Sequence, residues 1–323
     1  VSRITTTVAR TPPWLTMLTI SLIYALCFVA IKSGLQFAPP LLFAALRTSL
    51  GGLFLLVILR AQGISVRPSR SLWPWIGALA LVATTFTYGA MFLSPGRTGA
   101  GIASILGNLQ PLMVIVLATV FLSERLTRYT TAALILGMGG ATLSAAPALV
   151  GPDGYGLPGA VLALAASAGA AAGSVMIKRM GRPKSMGRRG AVVTVSAWQL
   201  IVGSLPLFVL SALVERHTQV VWNGELVGLI LLLAVLGTSL PTAIWYSLIQ
   251  HHDVGRLSIF LFLVPVFGTA IAFLAFAEPL SLPAISGMIL TISAVIAIAI
   301  ERPRAMTKPA RSPLSATTAA PSH

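Results

Sequence analysis

Charge is the first thing this sequence is short of. Of its 323 residues 9% are charged, and only seven are acidic against 22 lysines and arginines. A soluble globular domain carries about 25% charged residues, so a chain wetted on every side is excluded. Histidine is nearly as scarce: His217, His251, His252 and His323 fall in predicted loops, at the ends of apolar runs or in the terminal tail. No Asp, Glu or His stands at the centre of an apolar run, and intramembrane proton relays are built from such groups. Proton coupling is therefore not indicated, which leaves facilitated diffusion or exchange as readings of at least equal weight. There is no Gly-x4-Gly-Lys-Ser/Thr loop, so the chain has no visible means of ATP drive. No His, Cys or carboxylate cluster suggests a metal, and the expected complement of cofactors and metals is none. The single cysteine, Cys27, lies inside an apolar run and forms no intrachain disulfide.

What is abundant is apolar. Hydrophobic residues make up 56% of the chain, and its mean hydropathy is +0.91. A run of about 20 apolar residues spans a bilayer as a helix, because backbone groups in lipid must be satisfied within the segment. Short alternating strands of the barrel kind are absent. Ten helical spans are predicted, at 14–33, 39–60, 72–94, 99–121, 129–149, 156–177, 191–213, 226–248, 254–276 and 283–300. The first contains Thr and Tyr and lacks a small-residue cleavage site, so it reads as a retained span. The fold class expected is an all-α membrane protein of ten transmembrane helices.

The cations orient it. With the N-terminus in the cytoplasm, the inner side collects Arg3, Arg10, Arg60, Arg67, Arg70, Arg125 and Arg128, the cluster from Lys178 to Arg189, then Arg256 and the tail cations from Arg302 to Arg311. The outer side collects Lys32, Arg97 and Arg216. This asymmetry follows the positive-inside rule, and an even span count places both termini inside. The formal charge of +15 could point to nucleic acid, but topology accounts for most of these cations, so no nucleic-acid partner is expected. The basic loop 178–190 reads as a topology signal rather than a specific site for anionic lipid.

The chain also repeats itself. A shift of 154 residues carries Thr84-Thr85 onto Thr238-Ser239, Gly101 onto Gly255, Ser104 onto Ser258, Pro111 onto Pro265 and Glu124 onto Glu278. Earlier segments match at slightly smaller shifts: FVAIK at 28–32 resembles SVMIK at 174–178, and Arg47 with Gly51 resembles Gln199 with Gly203. Five spans per half is an odd number, so the second half crosses in the opposite sense. Inverted repeats of this kind are typical of secondary transporters, whose substrate sits near the midplane between the halves. The expected organisation is a cytoplasmic segment 1–13, a first five-helix repeat 14–149, an outer linker 150–155, a second repeat 156–300 and a disordered cytoplasmic tail 301–323.

The residues FVAIKSGL, APPLLFAALR and ASILGNLQPLMVIVLATVFLSERLT in the first half, with LLAVLGTSLPTAIWYSLIQ and VGRLSIFLFLVPVFGTAIAFLAFAEPLS in the second, resemble the EamA-type transporters of the drug/metabolite transporter superfamily. The Pro-x12-Glu pattern in each half, Pro111 to Glu124 and Pro265 to Glu278, is the most specific part of the likeness. The resemblance implies two inverted five-helix repeats, a cavity lined mainly by the first, third and fourth helices of each half, and movement of small metabolites or drugs. Amino acids and related compounds are exported by many members.

Several residues are candidates for that cavity. Arg47 sits eight residues into its span, roughly 12 Å from the outer edge at about 1.5 Å per residue. Mid-bilayer Arg costs about 2.5–3.5 kcal/mol, so it needs carbonyls or hydroxyls as a helix clamp, or else a substrate anion. Lys32 lies near the outer mouth, where it can snorkel to the interface. Pro111 and Pro265 remove backbone donors and kink their helices. Ser104, Asn108 and Pro111 share one helical face, as do Ser258, Phe262 and Pro265 in the other half. For Asn108 both a cavity role and a helix-packing role stand. Tyr24, Tyr88, Trp245 and Tyr246 are aromatics at depth, and with Ser174 they outline an apolar-aromatic site with a few polar handles. Glu124 and Glu278 end their helices and read as residues that hold loops.

The function expected is secondary export of small metabolites, amino acids or related compounds, by alternating access, from the bacterial cytoplasmic (inner) membrane, by a monomer or homodimer. No enzymatic activity is expected. A lipid or lipid-linked flippase is the alternative, and an integral-membrane enzyme acting on lipid is the rival from another class. The few scattered acids weigh against the latter.

Overall fold

The structure is a computed structural model that describes residues 12–94, 106–124, 126–145, 157–181, 187–276 and 281–300. The positions Ser104 and Glu278, the linker 150–155 and the tail 301–323 lie outside the described residues. Among the described residues there is no strand. The helices, in chain order, are α1 Pro13–Gly34, α2 Pro40–Ala61, α3 Arg70–Leu93, α4 Gln110–Leu122, α5 Arg128–Ala145, α6 Leu157–Met180, α7 Gly187–Val214, α8 Gly224–Ile249, α9 and α10 Leu282–Ile300. The helix α9 starts at Val254–Ser258, tightens into a 3-10 turn at Ile259–Phe262 and continues as Leu263–Phe276.

Eight of these are long and apolar enough to cross a membrane. The expected count of ten is not reached on length and composition. The described part of α4 has 13 residues. The 18-residue α5 opens on Arg128 and Tyr129 and carries three threonines and three glycines, which dilute its apolar character. Leucine, isoleucine and valine point outward along the spans: Leu53, Val57, Leu81, Val209 and Ile289 are all more than half exposed. Ser21, Thr48, Thr84, Gln199, Thr238 and Ser239 are instead buried. An apolar rim around a more polar centre is the arrangement a lipid solvent selects.

Small residues set the central packing. The start of α2 lies beside the end of α7, where Glu215 accepts from the Leu41 and Leu42 amides at 2.7 and 3.0 Å. Further along α2, a β-carbon on Gly52 would come within 2.6–2.7 Å of Ile201 and the Ala197 carbonyl, and Leu55 and Leu59 reach Val193 and Ala197. The two helices therefore run antiparallel. By the same reasoning α3 runs parallel to α7, because Trp198 donates to the Val66 carbonyl at 2.7 Å near one end, while Leu207 packs on Gly89 near the other. The helix α8 runs parallel to α2: Leu226 and Ile230 cluster with Leu41 and Phe43, Ser239 bonds Gly51, and Ala243 joins Leu55 and Leu59. A lengthwise pair of α5 and α10 closes the far side, where Gly140 lies against Gly287 and Thr291.

Two features interrupt the helices at matched positions. Both α3 and α8 widen into a π-helical stretch, Ala80–Phe86 and Leu233–Ser239. The 154-residue shift carries Ala80 to position 234, so the stretches coincide to within one residue. Stretches of π-helix inside α-helices cluster at functional sites. Second, α4 and α9 are broken immediately before their prolines, by a turn at 108–109 and by the 3-10 turn Ile259–Phe262. Proline removes the donor for the carbonyl four residues back. For Pro111 that carbonyl belongs to Gly107, and the Ser167 hydroxyl of α6 lies 2.9 Å from it and 2.9 Å from the Leu106 carbonyl. In the other half the carbonyl four residues before Pro265 belongs to Leu261, and Ser21 of α1 donates to the neighbouring Phe260 carbonyl at 2.9 Å.

Candidate functional site

Arg47 reaches from α2 into the centre of the bundle and is 3% exposed. Its Nε donates to Thr238 Oγ1 at 3.0 Å and its Nη2 to the Gly237 carbonyl at 3.1 Å. Both acceptors lie in the π stretch of α8. The guanidinium lies 5.3 Å from the centre of the Tyr88 ring and 5.7 Å from that of Phe92, both on α3. Cation–π attraction of this kind contributes about 0.5–2 kcal/mol. Gly237 is needed for the approach: a β-carbon there would sit 2.8 Å from Cys27 Sγ and 3.2 Å from Arg47 Nη2. Cys27 of α1, Arg47 of α2, Tyr88 and Phe92 of α3 and Gly237 and Thr238 of α8 therefore meet at one place.

On the second half, Gln199 of α7 occupies the place matched to Arg47. It is 1% exposed and its amide donates to the Tyr246 hydroxyl at 3.1 Å. Tyr246 in turn lies 3.6 Å from where a β-carbon on Gly173 would be, beside α6. The neighbouring Trp245 donates from Nε1 to Ser174 Oγ at 3.0 Å, and Ser174 donates to the Ala170 carbonyl. Among the described residues, three buried polar atoms here have no hydrogen-bond partner: Arg47 Nη1, Gln199 Oε1 and Thr84 Oγ1. Buried polar groups are nearly always bonded; a fourth such atom, Thr291 Oγ1, lies between α5 and α10.

Arg47 thus meets Tyr88 on one side of α8, and Ser174 meets Trp245 where α8 faces α6. Phe262 belongs to the apolar cluster that also holds Trp245 and Tyr246, with Tyr24 packed against it. Ser258 is fully buried and donates to the Gly255 carbonyl at 2.7 Å, and the Phe262 ring fills the space over Gly137 of α5. Asn108 is half-buried in the turn before α4, Pro111 is buried and Pro265 is partly buried. Lys32 is exposed at the end of α1. Sequence reasoning missed Gln199's bond to Tyr246 and the two serine props, Ser21 and Ser167. The smaller shift of 146 that aligns FVAIK with SVMIK also places Ser21 on Ser167, and would have found them.

A second polar cluster ties helix ends. Glu124, just after α4, accepts from the Val254 and Gly255 amides at 3.0 and 3.1 Å, which satisfies orphan donors at the start of α9. Lys178 of α6 pairs with Glu124 at 3.3 Å and also donates to the His252 carbonyl. The His252 imidazole, in the link before α9, is held below its usual pKa, first by burial and then by the positive neighbours His251 and Lys178.

Known proteins resemble this architecture. A solved crystal structure superposes with a TM-score of 0.76 over 90% of this chain and 98% of that one at 19% sequence identity, which speaks for the fold alone. Protein PecM of Dickeya dadantii is 30% identical over 268 residues, 81% of this chain and 85% of its own. A protein of Bacillus subtilis named as the uncharacterized transporter YvbV is 27% identical over 82% of this chain and 84% of its own. One of Salmonella typhimurium named as a probable amino-acid metabolite efflux pump is 29% identical over 84% of this chain and 90% of its own. The model of the EamA-like transporter family matches twice, at residues 12–146 and 157–300. Those two matches cover both halves of the bundle just described, and the chain belongs to the EamA-like transporter family.

Proposed function

We propose that this small-molecule transporter exports small metabolites, amino acids or related compounds, by alternating access between two inverted five-helix repeats. In this reading the chain crosses the bacterial inner membrane ten times, with both termini in the cytoplasm. The cargo meets Arg47, Tyr24, Tyr88, Trp245 and Asn108 near the midplane. One observation carries the proposal. Repeat-matched helices run in opposite directions, α2 against α7 and α3 against α8, and the polar-aromatic centre lies where they meet. That is the placement of the substrate in inverted-repeat carriers, where one repeat rocks against the other about a fixed site. The breaks before Pro111 and Pro265 supply matched hinges. The names of the efflux-pump relatives support the cargo class and the direction.

The test is counterflow and efflux of radiolabelled amino acids, nucleosides and cationic drugs in proteoliposomes, with Pro111→Ala and Pro265→Ala beside the wild type. We expect saturable movement of at least one amino acid. Both variants should insert normally and transport slowly, with opposite biases between inward and outward accessibility. Movement of fluorescent lipid without any soluble cargo would replace this reading with a flippase. Wild-type rates in both proline variants would remove the hinges from the mechanism.

A further inference from the structure

We infer that Arg47 is an anion subsite: its free Nη1 edge takes a carboxylate, or a like oxyanion, carried by the transported molecule. The inference rests on the transport reading above and adds to it the charge class of the cargo.

The argument starts from an imbalance. A guanidinium stays protonated in proteins and offers five N–H donors, two of them on Nη1. In this chain Nε and Nη2 are bonded to neutral acceptors, a threonine hydroxyl and a backbone carbonyl. Nη1 is buried and, among the described residues, has no acceptor. Nor does a described carboxylate form an ion pair with Arg47. Glu124 is held by Lys178 and the start of α9, and Glu215 by Ser211 and the start of α2. A buried charge without a counter-charge is costly, and two ring faces recover only part of that cost. A helix clamp alone does not require it. The repeat-matched Gln199 makes its interhelical bond with a neutral amide, so the fold can bridge helices here without a cation. The charge on the first half therefore calls for something that the second half does not bind.

The surroundings fit an organic acid rather than a free inorganic ion. Tyr88 and Phe92 flank the guanidinium, Phe43 packs edge-on against Phe92, and Leu233 lies beside Gly237. This gives an oxyanion contact set in an apolar-aromatic wall. Charge-assisted bonds from Arg to carboxylate are the strong ones and discriminate by geometry. Gln199 Oε1, buried and without a partner among the described residues, offers a neutral acceptor on the opposite repeat, suited to an N–H or ammonium group.

The experiment compares matched ligands on the full-length protein in lipid nanodiscs. Leucine and phenylalanine are titrated against leucinamide and phenylalaninamide, which keep the side chain and amine but lack the anion. Phenylacetate against phenylacetamide is the amine-free pair. Binding is read by calorimetry and by ligand-induced thermal shift. In the wild type the carboxylates should bind about 10–100-fold tighter than their amides, the effect of one charged hydrogen bond. Arg47→Gln removes the charge but keeps an amide donor, and should erase that ratio. Arg47→Lys should retain part of it.

A folded Arg47→Gln protein that still prefers carboxylates overturns the subsite. So does a wild type that binds acid and amide equally, a result that needs no variant to fold. Failure of every amino acid to move in proteoliposomes sinks the export reading instead. The subsite is then decided by the phenylacetate pair, where the absence of an Arg47-dependent preference counts against it.

Discussion

The two halves of the bundle agree in their scaffolding and part company at the centre. Ser239 donates to the Gly51 carbonyl at 2.7 Å, and its counterpart Thr85 donates to the Gly203 carbonyl at 2.7 Å. Ser21 and Ser167 prop matched breaks in α9 and α4 at 2.9 Å. These bonds go from hydroxyl to backbone, and they depend on helix geometry rather than on side-chain identity across the pair. The long polar side chains differ. Arg47 bonds Thr238, whereas Gln199 turns away from Thr84 to Tyr246. Backbone-directed contacts preserve a repeat through sequence drift, because a carbonyl is present whatever the residue. Side chains that meet side chains are free to diverge between the halves, as Arg47 and Gln199 do.

That comparison can be broken where it is tightest. Gly52→Val and Gly203→Val should be the most damaging changes, at about 3 kcal/mol each. Their β-carbons would press to 2.7 Å from the Ala197 carbonyl and 2.6 Å from the Ala80 carbonyl, and backbone cannot yield as a side-chain tip can. Fluorescence-detected size-exclusion chromatography should show both variants losing the folded peak. Survival of one and loss of the other would show that the scaffold is not symmetric after all.

The centre gives a sharper contrast. Thr238→Val removes the acceptor of Arg47 Nε and should cost about 1–3 kcal/mol. Thr84→Val, at the matched position, replaces a buried hydroxyl that has no partner among the described residues and should be neutral or stabilising. Thermal unfolding midpoints of the two variants measure the difference, and equal losses would mean that Thr84 holds a bond of its own.

The smallest expected effect concerns His252, in the link between α8 and α9. Its folded-state pKa is lowered by burial, then by His251, Lys178 and Arg256, with Asp253 opposing. The unfolded chain therefore takes up the proton first, at about 6.5, and stability falls as pH drops through that value toward the lowered one. Above it the group contributes no pH dependence. Unfolding midpoints taken from about pH 7.5 to 5.5 should decline less in His252→Gln than in the wild type. Parallel declines would assign the acid sensitivity to another group.

Much of the architecture could be read from the residues, and the reasons are physical. Apolar runs must be helices in lipid, so every predicted span has a described helix within it or along it. The constant shift between Thr84-Thr85 and Thr238-Ser239 already announced the repeat. The π stretches could not be read, because Ala80–Phe86 and Leu233–Ser239 have ordinary helical composition; they lie against Gly203 of α7 and Gly51 of α2. The depth and neutral setting of Arg47 were legible, but its partners Gly237 and Thr238 were not. Nothing local in a sequence says which distant helix will pass beside a side chain. Ser258 and Phe262 share a helical face with Pro265, yet the structure sets Phe262 against α5, since periodicity gives a face and not its neighbour.

The distance between Arg47 and its partners along the chain also has a consequence for biosynthesis. Thr238 lies 191 residues downstream. At about 5–20 residues per second, α2 waits roughly 10–40 s in the membrane before α8 has been made. The Gly51 and Gly52 surface waits likewise for α7 and α8. During that interval a nascent helix bears an unmatched guanidinium and an uncovered notch of glycine. The first half is a completed family repeat by sequence, but it leaves the ribosome as an unfinished object, and only the second half gives its charge somewhere to rest.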